Sequence, residues 1–246
     1  MKAIVVIPAR YQSSRFPGKP LLKLLGKEMI IWVAELSTKA VGIENVYIAT
    51  DDERIANVVM DAGYKVVMTS DTCLTGTDRL AEVASQIEAD IYVNVQGDEP
   101  LVCPQDIIKV LELKKQYLND VINAYCPLSA EESADNVNIP KVIFTEDKRL
   151  VYMSRMALPG YKDRKNAPKT YYKQVCIYAF NRDELAAYAK YGRKSELEHS
   201  EDIEIIRFME WEKTIRMVET QQGSLAIDVP ADVDNVERAL KDALGG

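Results

Sequence analysis

Apolar residues along the first half of the chain fall into two alternating rhythms. Short runs rich in β-branched residues at 3–7, 46–49, 65–68, 91–95 and 121–125 read as strands. Between them, 29–39, 52–61, 78–87 and 104–116 carry apolar positions at helical spacing. The strands are apolar enough to be covered on both faces, so the alternation predicts an α/β fold with a mostly parallel, doubly wound sheet. Ligands of such sheets sit at the carboxyl ends of the strands. Asp51 or Asp52 can cap the second helix, Thr77 or Asp78 the third, and Pro104 suits the first turn of the fourth.

Beyond residue 127 the pattern loosens. Strand-like runs at 139–144, 149–154 and 174–180 follow, with a polar, proline-containing loop at 159–170 between the last two. We read 127–200 as a smaller inserted lobe within one continuous domain, 1–246. Helical patterns at 202–209 and 231–243 then flank a strand at 214–218. The chain holds no internal repeat or low-complexity segment, and its 246 residues suffice for a large core.

Charge and composition narrow the function. A net charge of −7 argues against a general nucleic-acid binder, which needs a basic face, but leaves room for a local basic pocket. No apolar run approaches the ~20 residues of a membrane span. The opening MKAIVVIPAR lacks a signal-peptide cleavage pattern, so a cytoplasmic protein with no membrane partner is expected. Cys73, Cys103, Cys126 and Cys176 have no CxxC spacing and read as reduced core thiols. His199 is the only histidine, which excludes a multi-histidine metal site; its neighbours Glu198, Ser200 and Glu201 suggest a solvated surface position.

Three stretches carry candidate chemistry. In VIPARYQSSRFPGKPLL, Arg10, Arg15 and Lys19 leave the first strand on one loop shaped by Pro17, Gly18 and Pro20. Guanidinium forks and an ammonium can share the oxygens of a polyphosphate; an ordinary solvated basic loop is the alternative. The segment matches neither a Walker A motif nor GxGxxG. In NVQGDEPL, Asp98 follows a buried-looking strand and a glycine, and AIDVP delivers Asp228 to a similar break. Two such carboxylates suit a Mg²⁺ bound to phosphates, because hard cations take oxygen ligands. A turn aspartate at 98 and a helix cap at 228 are the plainer readings. In TGTDRL, Thr75, Gly76, Thr77 and Arg79 begin a helix, a geometry for an anion or nucleotide, or simply an N-cap.

Taken together, PARYxSSRFPGKPL at 8–21, ATDD at 49–52, TGTDR at 75–79, NVQGDEP at 94–100, YMSR at 152–155, CIYAF at 176–180 and IDVP at 227–230 resemble the 3-deoxy-manno-octulosonate (Kdo) cytidylyltransferase family across nearly the whole chain. The resemblance implies a Rossmann-like nucleotidyltransferase fold, a homodimer, and transfer of CMP from CTP to an acidic eight-carbon sugar with Mg²⁺ and release of pyrophosphate. It implies CTP phosphate contacts from Arg10, Arg15 and Lys19, and nucleoside contacts from the backbone at Pro8 and Ala9 and from 75–79. Asp98 and Asp228 would hold metal. Gln96, Tyr178 and Arg155 would face the sugar.

The departures from the family pattern cluster on the sugar side. Gln174 stands where the family has histidine and Cys176 where it has glycine; Asp202 replaces a serine and Ile205 a glutamine. Gln12 and Val229 are smaller changes near the phosphate and metal motifs. Losing an imidazole and gaining a carboxylate makes the sugar pocket more negative, which favours a cation. The expectation is an enzyme favouring the 8-amino derivative of Kdo, with Glu201, Asp202 or Glu204 near the ammonium, and Kdo itself as the next choice. A cytidylyltransferase for another acidic sugar such as a sialic acid, and a non-catalytic CTP-binding protein, are the competing readings.

Overall fold

The computed structural model describes residues 1–12, 16–221, 225–227 and 229–245; Arg15 and Asp228 lie outside the described residues. β1 (Ala3–Ala9) is central because AIVVIPA offers apolar side chains to both faces, with Ile4 to Ile7 fully buried. A basic loop and the small hairpin β2 (Lys23–Leu24) and β3 (Lys27–Glu28) lead into α1 (Met29–Val41). The chain then makes β4 (Val46–Thr50), α2 (Glu53–Asp61) and β5 (Lys65–Met68), extending the sheet to one side in parallel. α3 (Gly76–Gln86) carries it back, and β6 (Ile91–Val95) pairs in parallel with the other side of β1. That reversal creates the crevice in which doubly wound sheets bind ligands.

α4 (Pro104–Gln116) leads to β7 (Val121–Pro127), and β8 (Lys141–Phe144) and β9 (Leu150–Ser154) form an antiparallel hairpin. β10 (Tyr172–Phe180) then enters the central sheet between β6 and β7, antiparallel to both. The segment read as an inserted lobe thus contributes β10 to the main sheet, while β8 and β9 extend outward from it. α5 (Arg182–Tyr191), the short α6 (Glu196–Glu201) and α7 (Ile206–Glu210) precede the edge strand β11 (Ile215–Glu219), parallel to β7. α8 (Val233–Gly245) closes the chain.

The core lies in two layers. Leu80, Leu185, Tyr188 and Phe208 bring α3, α5 and α7 onto one face of the sheet. Ile30, Val33, Ile55 and Ile107 bring α1, α2 and α4 onto the other. Each such fully buried aliphatic side chain contributes on the order of 2 kcal/mol. A third cluster, including Leu24, Trp32, Ile227 and Leu240, docks α8 and the β2–β3 hairpin against α1.

Several boundaries differ from the sequence reading. Asp52 caps α2 by accepting from Arg54 N at 2.9 Å, but α3 is capped by Thr75, which accepts from Asp78 N at 3.2 Å, and not by Thr77 or Asp78. Residues 202–209 are not one helix: Asp202 adopts a left-handed conformation (φ 49°) that ends α6. Aspartate tolerates this region better than most residues. The last helix starts at Val233, after a turn at Pro230–Asp232.

Candidate active site

The loop after β1 is folded back on itself at one residue. Gly18 has φ 72°, its N–H donates to Tyr11 O at 2.8 Å, and a Cβ there would meet the Tyr11 ring at 3.2 Å. The Arg54 guanidinium also stacks on that ring, 3.3 Å from its centroid. Arg54 is in turn held by Asp52 through bonds of 2.9 and 2.6 Å. The loop therefore presents Arg10, which is exposed, and Lys19, which is half-buried, toward the carboxyl ends of β1 and β6.

β6 delivers the opposing residues. Gly97 lets this turn pack tightly, since a Cβ would stand 3.0 Å from Pro8 O and 3.1 Å from Ile30 Cδ1. Beyond it, Asp98 accepts from Lys19 Nζ at 2.5 Å, and the same ammonium donates to Ile227 O at 2.8 Å. Ile227 N donates to Asp98 O at 3.1 Å, tying the chain at Ile227 to the end of β6.

Two adjoining cavities open above these residues. The first, about 230 Å³, is lined by Pro8, Ala9, Arg10 and Lys19 on one side and Gln96 and Asp98 on the other. Thr75, Gly76 and Arg79 close it at the start of α3, with Met29, Cys73 and Leu74, which the sequence did not signal. The second, about 450 Å³, shares Arg10, Leu74, Thr75, Gly76 and Gln96 with the first. It continues over Arg155, Gln174, Tyr178, Asp202 and Glu204. Asn138, Cys176 and Lys194 also line it, and none of these three stood out as a ligand in the sequence.

The polar groups of the second cavity are held in place by their neighbours. Between Val175 and Tyr178 the register of β10 against β7 shifts, and Asn123 Nδ2 donates into the irregularity, to Val175 O at 2.9 Å and Ile177 O at 3.2 Å. Gln174 Nε2 donates to Asn123 Oδ1 at 3.2 Å and to Tyr178 OH at 3.3 Å. Burial pushes the Tyr178 hydroxyl well above its usual range, so it stays protonated. Asn94, in the neighbouring strand, buries its Oδ1 without a hydrogen-bond partner among the described residues.

Four sequence-predicted roles change with the geometry. Thr77 is fully buried and its N–H donates to Glu204 Oε2 at 2.9 Å, so it faces the protein interior and does not offer its hydroxyl to a ligand. Burial raises the Glu204 carboxyl above its usual range, with the Thr77 N–H opposing the shift. Arg79 lines the first cavity but points its guanidinium at Asp51 (3.3 Å) and at the Thr69 hydroxyl. The Arg155 guanidinium is taken by the carbonyls of Glu201 (2.5 Å), Val137 (3.0 Å) and Asp202 (3.0 Å). Glu201 turns away from the cavity and accepts from Arg155 N at 2.8 Å and Tyr152 OH at 3.3 Å.

The cysteines are free, but only Cys126 is fully buried. Cys73 and Cys176 instead line the two cavities, because one precedes α3 and the other sits at the irregular part of β10. Burial and the Glu82 carboxylate push the Cys73 thiol up to about 12, far from a thiolate nucleophile at neutral pH. His199 is exposed on α6, and no group of three or more metal-ligating side chains occurs among the described residues. Nor is any described helix long and apolar enough to cross a membrane.

A doubly wound sheet with a basic loop and a carboxylate facing one another at its switch point defines a Rossmann-like nucleotide-binding protein. The comparisons make this narrower. A family model described as cytidylyltransferase matches residues 4–220. The 3-deoxy-manno-octulosonate cytidylyltransferase of Escherichia coli is 40% identical over 97% of this chain and 96% of its own. The 8-amino-3,8-dideoxy-manno-octulosonate cytidylyltransferase of Shewanella oneidensis is 37% identical over 98% of this chain and 99% of its own. The solved structure of a CMP:2-keto-3-deoxy-manno-octonic acid synthetase complexed with CTP superposes with a TM-score of 0.91 at 37% identity, covering 99% of this chain and all of that one. The chain belongs to the cytidylyltransferase family, and its fold is that of a nucleotidyltransferase.

Proposed function

We propose that this enzyme transfers CMP from CTP to an acidic 3-deoxy-octulosonate sugar, Kdo or its 8-amino derivative, for lipopolysaccharide synthesis. The observation that carries the reading is the pair of adjoining cavities that share Arg10, Thr75 and Gln96. One has the cations and strand ends suited to a nucleoside triphosphate, and the other has the polar walls suited to a sugar. The shared wall is where acceptor and α-phosphate would meet. Relatives named for each of the two acceptors match the chain over nearly its whole length.

In the reaction the anomeric hydroxyl oxygen bonds to the α-phosphorus, and the bond from that phosphorus to the bridging oxygen breaks. Pyrophosphate leaves with the electron pair, and the hydroxyl proton passes to solvent. Arg10 and Lys19 offset charge on the leaving group, and the rigid Gly97 turn fixes the approach of the two substrates. The Lys19 ammonium is satisfied by two oxygens, Asp98 Oδ2 and Ile227 O, and such hard donors also fit Mg²⁺. Asp98, with Asp228 from the sequence, would hold that ion, which when bound neutralises phosphate charge.

A cytoplasmic homodimer completes the proposal. Val137, Val151, Met156 and Tyr161, in and beside the β8–β9 hairpin, are at least half exposed, and among the described residues β9 pairs only with β8. A second copy is the occupant that the family resemblance implies for this surface. The test of the chemistry is mass spectrometry of the product formed from CTP with Kdo or with 8-amino-Kdo. A CMP-sugar is expected with at least one of them; a CMP-sugar formed only with a nine-carbon sialic acid would redirect the proposal.

A further inference from the structure

The second cavity contains a charge pair that no motif announced. Lys194 Nζ donates to Asp202 Oδ1 at 2.6 Å, and both residues line the cavity. They bracket α6: Lys194 precedes its capping residue Ser195, and Asp202 ends it in a left-handed conformation. Arg155 fixes the Asp202 end by donating to the Asp202 and Glu201 carbonyls. Neither member of the pair lines the first cavity, so they stand away from the wall where the acceptor hydroxyl would meet the α-phosphate.

We propose that Lys194 is a specificity-determining residue of the acceptor cavity, which sets how far Asp202 can favour an ammonium over a hydroxyl at the distal end of the sugar. The inference rests on the octulosonate reading above. Asp202 by itself would attract a cation. With Lys194 bound to it, the pair is neutral and offers one donor and one acceptor side by side. A distal hydroxyl can accept from the ammonium and donate to the carboxylate. A distal ammonium has only donors and brings a second positive charge beside Lys194, so it must displace that side chain to reach Asp202. The pair therefore restrains the preference that the carboxylate creates.

The test is the ratio of kcat/KM for 8-amino-Kdo to that for Kdo, measured by pyrophosphate release in the full-length enzyme and its variants. Because the pair is partly exposed, with side-chain accessibilities of 29% and 70%, the effect is moderate. Lys194→Met should raise the ratio about fivefold, a change in keeping with a partly screened ion pair. Lys194→Arg should keep the ratio near that of the parent, and Asp202→Asn, which still tolerates the left-handed turn, should lower it. The Tm and the CTP affinity of each variant report folding. Turnover of both sugars with the ratio unmoved, within about twofold, in Lys194→Met and Asp202→Asn overturns the inference alone. Turnover of neither sugar by the parent enzyme overturns the octulosonate reading and this inference with it.

Discussion

Glu204 illustrates how one side chain links the elements around the site. Its carboxylate accepts from Thr77 N at the start of α3, and its Oε1 lies 3.5 Å from Gln96 Nε2. Burial is the largest cause of its raised pKa, so the folded state holds the proton more tightly than the unfolded chain does. Stability therefore falls as pH rises through the ordinary value of 4.5 toward the higher folded value, and the penalty is constant above that. Glu204→Gln removes the penalty while keeping an acceptor for Thr77. Its Tm relative to the parent should increase as pH rises from about 4 toward 7; a relative Tm that drops over that range would refute the assignment. The glutamate was visible in the sequence, but its partner was not, since no spacing rule relates residue 204 to residue 77.

At the scale of elements, the ATDD turn between β4 and α2 acts as a bracket for the start of α3 and the basic loop after β1. Asp51 holds Arg79 of α3, while Asp52 holds Arg54, which stacks on Tyr11 of the basic loop. Arg54 itself does not line either cavity. Arg54→Ala should raise the KM for CTP several-fold with a smaller change in kcat, as expected for loss of a solvent-exposed cation–π contact that orders the loop. Arg54→Lys should restore part of the loss, and steady-state kinetics with varied CTP would measure both.

The elements also mark where sequence reading stops. Strands β1, β4, β5, β6 and β7 were legible because apolar runs flanked by helical periodicity carry their own signal. The direction and position of β10 were not, because a buried run looks the same in either orientation and its partners are 45 or more positions distant in its pairing with β7. Asp98, Lys19 and Arg10 were legible as chemistry because they follow strand ends. Lys194 was not, because it lies in the charged stretch GRKSELEHSED and resembles solvated surface. The α6–α7 break was hidden for a related reason: Asp202 suits either a helical or a left-handed position, and only the surrounding clamp selects the second.

On the scale of the whole molecule, the β8–β9 hairpin is the proposed assembly surface, and the proposed chemistry lies at the switch point. Met156 is 67% exposed and Val151 50%, apolar side chains that the proposed second copy would cover. A Val151→Glu, Met156→Glu double variant should sediment as a monomer where the parent sediments as a dimer; a monomeric parent would remove the assembly proposal and leave the site intact.

In the proposed function the Lys19–Asp98 edge and the adjoining cavity together activate a sugar acid with CTP. The most direct measurement is pyrophosphate release from CTP and Mg²⁺, with and without Kdo or 8-amino-Kdo, by the parent enzyme and by Lys19→Ala and Asp98→Asn. Release should require the sugar and fall about 10²-fold or more in each variant, as when a key electrostatic group is lost, with Tm little changed. Sugar-independent release, or full activity in both variants, would contradict the proposed function.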